Sequence, residues 1–200
     1  MRLLLTSTGL VCPEVRRFFI GLFDRLDDKT ACIVTAGRSH GERKYIDESI
    51  RELTDLGIET VELDISGNDH FANVRSADIY YVCGGNTYYI MDRLRKTGVD
   101  ELLKTVFNKG KLYLGVSAGS IIAGPDIGIA RLGDENDVRL EDMTGLGLAQ
   151  CVISPHYSEL EARELESYRS EHAEERVIPI SDEQAVYVED GNTSLVCGTL

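Results

Sequence analysis

Leu112-Tyr113-Leu114-Gly115-Val116-Ser117-Ala118-Gly119-Ser120-Ile121-Ile122-Ala123 carries the reading of the whole chain. Its first five residues are apolar without a break, the mark of a short central strand buried on both faces. Gly115 to Gly119 then matches G-x-S-x-G, in which two glycines let a strand turn sharply into a helix with the serine strained at the apex. That geometry exposes the serine oxygen and aims the next backbone N–H at a developing oxyanion. Residues Ala118 to Ala123 are small and then apolar, which suits a helix start packed closely on its neighbours. The pentapeptide alone is a weak signal; its place directly after a central strand is what sharpens it.

Outward from this stretch, short β-rich runs alternate with segments of helical period as far as about Glu175, which predicts a mostly parallel sheet covered by helices on both faces. Leu3 to Thr6 reads as the first strand. Pro13 suits the first turn of a helix whose Val15, Phe18, Phe19, Leu22, Phe23 and Leu26 share one side. Ala31 to Thr35 is the second strand, followed by a helix with Tyr45, Ile46, Ile50, Leu53 and Leu56 inward and Gly57 as its stop. Ile58 to Leu63 and Ile79 to Cys83 are the next strands, and two helices broken near Gly98 lie between Asn86 and Asn108. Beyond the elbow, Gly124 to Gly147 reads as an extended loop with short strands. Cys151 to Ile153 is a strand, Ser158 to Arg176 a charged helix and Val177 to Ile180 a strand. Ala185 to Val188 and Ser194 to Cys197 flank Glu189-Asp190-Gly191-Asn192 as a C-terminal β-hairpin. No repeat or linker divides residues 1–200, so the chain reads as a single α/β domain.

Two hundred residues, 42% hydrophobic with nine Tyr, five Phe and no Trp, describe an ordinary globular domain. A chain of this size buries roughly 70% of its unfolded surface. Against 34 acids stand 21 Lys and Arg, a net charge of −13, which argues against nucleic acid. Five cysteines at 12, 32, 83, 151 and 197 form no C-x-x-C, so they read as reduced core thiols of a cytoplasmic protein rather than disulfides or a metal site. The opening Met1-Arg2-Leu3-Leu4-Leu5-Thr6-Ser7 turns polar too soon for a signal peptide, and no apolar run reaches membrane-helix length.

A second turn of interest is Cys83-Gly84-Gly85-Asn86-Thr87, also at a strand-to-helix passage. Paired glycines bring backbone N–H groups close to a ligand atom, with Asn86 or Thr87 as helix cap. If the two strands are neighbours, the N–H groups of Gly85 and Ala118 can share one oxyanion. Neither nucleotide-binding glycine pattern is present. Of four histidines, His40 and His70 lie in polar stretches and His172 among glutamates, whereas Ile153-Ser154-Pro155-His156-Tyr157 sets His156 just past an apolar strand. That makes it the candidate base for Ser117. The orienting acid stays open between Asp182 and Glu183, in the turn after the Val177 strand, and Asp134 and Asp137, in the acidic loop.

Taken together, the Cys83 to Thr87 turn, the Gly115 to Gly119 elbow and Ser154-Pro155-His156-Tyr157 resemble the peptidase E (aspartyl dipeptidase) family of serine peptidases, related to the cyanophycinases. The similarity runs in order over most of the chain. It implies a three-layer α/β/α sandwich like that of class I glutamine amidotransferases, of flavodoxin-like type, with serine in place of cysteine. By position, Ser117 is the nucleophile, His156 the base, and the amides of Gly85 and Ala118 the oxyanion hole. The third member is Glu183 or Asp182, with Asp134 near another acid position of the family. Asn86 falls at the substrate. Aspartyl dipeptidases also need a base for the substrate's aspartate, and here only Arg163 and Arg169 stand in the stretch after the histidine.

The resemblance therefore implies a serine exopeptidase acting on short peptides, as monomer or homodimer, with no metal or organic cofactor. Two other readings use the same residues. One is an esterase-like hydrolase with the order Ser117, Asp137, His156. The other is a non-catalytic domain that binds a small amide or a protein partner. Residues 134 to 200 hold 4 basic against 16 acidic side chains, a net −12 that accounts for nearly the whole charge. Charge of that sign near the cleft favours cationic peptides over an Asp-first dipeptide.

Overall fold

A computed structural model describes residues 1–37, 40–67, 77–107 and 110–197; His70 lies outside the described residues. Seven strands form one sheet in the order β3-β2-β4-β5-β1-β8-β9. These are β1 (Arg2–Thr6), β2 (Thr30–Thr35), β3 (Glu59–Asp64), β4 (Ile79–Val82), β5 (Leu112–Val116), β8 (Ala185–Glu189) and β9 (Asn192–Val196). The first five in spatial order are parallel, whereas β8 runs antiparallel to β1 and forms a hairpin with β9. Asp190 and Gly191, both at positive φ (48° and 83°), make the tight turn that a two-residue hairpin requires.

Side-chain alternation along the strands divides the core into two layers. On one face Leu3, Leu5, Tyr80, Val82 and Tyr113 pack under α3 (Thr87–Thr97) and α4 (Val99–Phe107). The other face carries Leu4, Ile33, Tyr81 and Leu114 beneath α1 (Pro13–Gly21) and α2 (His40–Thr54). The result is a three-layer α/β/α sandwich. Phe107 is fully buried between Tyr80 and Tyr113, edge-on to both at 5.4 and 5.2 Å, and its burial contributes about 3 kcal/mol.

Gly98, at φ 72°, caps α3 with its N–H on Leu94 and Arg95, and so makes the break between α3 and α4. Helix α5 (Ala118–Ile122) lies so near the sheet that a Cβ on Gly119 would fall 2.2 Å from the Val82 carbonyl oxygen. The buried Tyr113 hydroxyl donates to the Gly119 carbonyl at 2.6 Å, which fixes the helix start to the strand before it.

The local reading needs four corrections. Tyr45 does not face inward but is 68% exposed, because the buried stripe of α2 runs through Ile46 and Leu53. Strands β6 (Val152–Ser154) and β7 (Val177–Pro179) pair only with each other, since β8 occupies the edge of β1. The segment from Ser158 is no continuous helix: a capping box of Ser158 and Glu161 opens a 3-10 turn, and α6 spans Ala162–Glu171. His172, at φ −124° and ψ 50°, turns the chain away toward β7. The loop after α5 holds a 3-10 turn at Gly128–Leu132 and one bridge, Asp126 to Thr144.

Candidate active site

Ser117 ends β5 with φ 51° and ψ −112°, a conformation that non-glycine residues rarely adopt. Its own N–H donates to the Thr6 carbonyl at 2.9 Å. The buried Ser120 hydroxyl, one turn on, accepts from the Thr6 N–H at 2.9 Å and lies 2.8 Å from the Thr6 oxygen and 2.9 Å from that of Gly115. The elbow is thus held between β1 and β5 from below, and its strain is supported by hydrogen bonds on both sides.

His156 follows β6 after Pro155 and also has positive φ, 57°. Its Nε2 lies 2.9 Å from Ser117 Oγ, and its Nδ1 lies 2.6 Å from Asp182 Oδ1. Both ring contacts are at hydrogen-bond length, so a neutral imidazole with its proton on Nδ1 donates to Asp182 and accepts from the serine. The group is open to water: the His156 and Asp182 side chains are 49% and 61% exposed.

The three side chains meet at the end of β1. Thr6 receives the Ser117 N–H, as above. Ser7 Oγ accepts from the His156 N–H at 3.0 Å and donates to the Ile180 carbonyl at 3.2 Å. Thr8 Oγ1 donates to the Asp182 carbonyl at 2.9 Å. Three consecutive residues of one strand end therefore each touch a different member of the group. Sequence reading gave Ser7 and Thr8 no part in the site; their place at a strand's carboxyl end, where α/β ligand sites form, was the available signal.

Strands β4 and β5 are adjacent, which brings the glycine turn against the serine. A Cβ on Gly84 would meet Ser117 Cβ at 3.2 Å, so only glycine lets the turn approach this closely. Among the described residues, neither the Gly85 nor the Ala118 N–H donates to a backbone oxygen. Cys83 is no rival nucleophile, since burial pushes its thiol up to about 12.

The remaining candidates lie elsewhere or serve the framework. Asp134 accepts from the Thr87 N–H at 2.8 Å and so caps α3 together with Asn86, whose side-chain oxygen takes the Tyr89 N–H at 2.9 Å. The Asn86 amide donates to the Glu135 carbonyl. Glu183 touches the Cys12 thiol through its carbonyl. Arg169 donates to the Val177 carbonyl at 3.1 Å, and neither Arg163 nor Arg169 lines the cleft. Among the described residues no group of three His, Cys, Asp or Glu side chains could hold a metal, and no helix is long and apolar enough to cross a membrane.

Two cavities meet at Ser117 and His156. The larger, about 740 Å³, extends between the β1–α1 connection and α2; the smaller, about 240 Å³, lies under Ile129, Leu132, Asp134 and Glu161. Glu52 lines the larger one and was given no role by the sequence reading.

The model of peptidase family S51 matches residues 3–196. An uncharacterized peptidase of Listeria monocytogenes serovar 1/2a is 30% identical over 88% of this chain and 89% of its own. Peptidase E of Streptomyces coelicolor is 32% identical over 68% of this chain, which spans about half of that relative (54%). The crystal structure of a candidate peptidase E protein from Listeria monocytogenes EGD-e superposes with a TM-score of 0.81 at 28% identity, covering 97% of this chain and 96% of that one. A peptidase from an acI-B1 actinobacterium shares the fold at TM-score 0.71 and 19% identity, over 98% of this chain and 86% of that one. On the extent of the family match and the likeness over both chain lengths, the chain belongs to peptidase family S51 and is a peptidase.

Proposed function

We propose that the chain is a serine exopeptidase that hydrolyses short peptides through an acyl-enzyme on Ser117. The observation that carries this reading is the unbroken contact from Ser117 Oγ through His156 to Asp182, built on a strained elbow. His156 Nε2 takes the serine proton as Oγ adds to the scissile carbonyl. Asp182 holds the Nδ1–H and stabilises the imidazolium that forms. The tetrahedral oxygen settles between the N–H groups of Gly85 and Ala118. The imidazolium then protonates the leaving amine, and water, activated by the same base, releases the acyl group.

The order serine, histidine, acid favours this reading over the esterase-like one, which needed Asp137 at the imidazole. A cytoplasmic setting fits the five cysteines, none of them bridged. A fluorophosphonate probe tests the assignment: the intact chain should take one label and Ser117→Ala none. Equal labelling of both would remove Ser117 from the mechanism. Asp182→Asn should keep the label but slow acylation by about 10²- to 10⁴-fold, as loss of the working tautomer does elsewhere.

A further inference from the structure

The larger cavity has largely apolar walls, with Arg16, Glu48, Arg51, Glu52 and Asp55 as the charged residues of its lining. Val11, Ile46, Tyr81, Cys83 and Val116 line it, with Ser117 at one boundary and Glu52, on α2, at another. Glu52 is partly buried and rigidly placed, because its Oε2 accepts both the Leu10 N–H at 3.1 Å and the Tyr81 hydroxyl at 3.0 Å. Among the described residues Oε1 receives no hydrogen bond, and no described cation pairs with the carboxylate. Arg16, on the same wall, acts on it only through space, as does Glu48, which leans toward Lys44 at 3.8 Å. A fixed carboxylate oxygen in the lining of this cavity, with no protein donor among the described residues, can take one from a ligand, and a long aliphatic stem with a cationic tip would supply it while covering the apolar walls.

We propose that this cavity is a specificity subsite for a lysine- or arginine-like side chain next to the scissile bond, with Glu52 Oε1 receiving its charged nitrogen. The inference rests on Ser117 being the reacting residue. It also assigns the selectivity to a residue of α2, outside the strand ends that carry the catalytic groups. Burial raises the Glu52 pKa above the usual carboxylate range, so an incoming cation relieves an unfavourable charge.

Binding to the Ser117→Ala chain, measured by calorimetry, separates this subsite from the chemistry. The probes are the dipeptides Lys-Ala and norleucine-Ala, and Ala-Lys and Ala-norleucine, which differ within each pair only in the charged tip. In one register lysine should bind about tenfold tighter, the factor expected of one charge-assisted hydrogen bond. Adding Glu52→Gln, whose carbonyl can still serve Leu10 and Tyr81 while its NH₂ faces the cavity, should bring that ratio within about twofold. A lysine-to-norleucine ratio within about threefold in both registers of the Ser117→Ala chain overturns the subsite without any need for the second variant. So does a lysine preference that survives Glu52→Gln, or tighter binding of Asp-Ala than of Lys-Ala. If lysine preference holds while the intact chain cleaves none of the four peptides, the failure falls on the serine mechanism and the subsite stands.

Discussion

Ser7 hydrogen-bonds in two directions with one hydroxyl, to the His156 N–H and to the Ile180 carbonyl, and so links the histidine to the strand end that leads into Asp182. Ser7→Ala leaves a part-buried N–H and a buried carbonyl without this partner, at a cost of about 1–2 kcal/mol. It also loosens a histidine held at positive φ. We expect kcat to fall about 10- to 100-fold with KM changed less than about threefold, since the cavity wall loses only one hydroxyl; steady-state kinetics on one dipeptide decides. An unchanged kcat would mean that the histidine holds its place without Ser7. Ser117 and His156 were legible in the sequence because each follows an apolar strand and histidines are few. Ser7 was not legible, since its role depends on β1 lying between β5 and β8, a fact of sheet order that no local pattern contains. The acid stayed open among Asp182, Glu183, Asp134 and Asp137, because the two loops that carry them are ordered only by the fold, and within the late turn neighbours point in different directions.

At the level of elements, α5 shows how close packing makes the elbow. Gly119→Ala would set a methyl carbon 2.2 Å from the Val82 oxygen, a backbone atom that cannot step aside. We expect a loss of about 3 kcal/mol in urea unfolding, together with loss of activity from a displaced oxyanion turn. A variant as stable as the parent would show that α5 can slide along the sheet. The buried strands were readable from unbroken apolar runs, and the α3–α4 break from Gly98. The limits of α6 were not, since charged residues continue past Glu171 with good helix propensity. The helix ends where His172 leaves the helical region at φ −124° and ψ 50°, a turn held by local contacts: its ring stacks on Tyr168 at 4.2 Å, and its Nδ1 meets Glu175 at 3.2 Å. Strands of three residues such as β6 and β7 carry too little pattern to reveal their partner.

Across the whole molecule, Asp134, Glu161 and Asp182 bring part of the C-terminal half's negative charge to the cleft. Raising salt from about 0.05 to 0.5 M shortens the screening length from roughly 14 to 4 Å, so KM for a cationic dipeptide should rise severalfold with kcat little changed. A KM indifferent to salt would confine recognition to short-range contacts. Stability should also depend on pH through Glu52. Its folded pKa is raised above 4.5 by burial, so the stability it allows is complete below that value and is lost as pH rises through the folded value, where the unfolded chain has already released its proton. The melting temperature of the parent should therefore fall relative to Glu52→Gln as pH is raised from about 4 to 7. Parallel curves would contradict the raised value. The Thr6-Ser7-Thr8 strand end has a consequence for truncation as well. The strand end on which the group is assembled meets Asp182 across 174 residues of chain, and the same strand pairs with β8. A chain cut before about residue 180 would thus have its serine elbow and its histidine but no anchored acid, so hydrolysis should be lost with that segment rather than decline gradually with length.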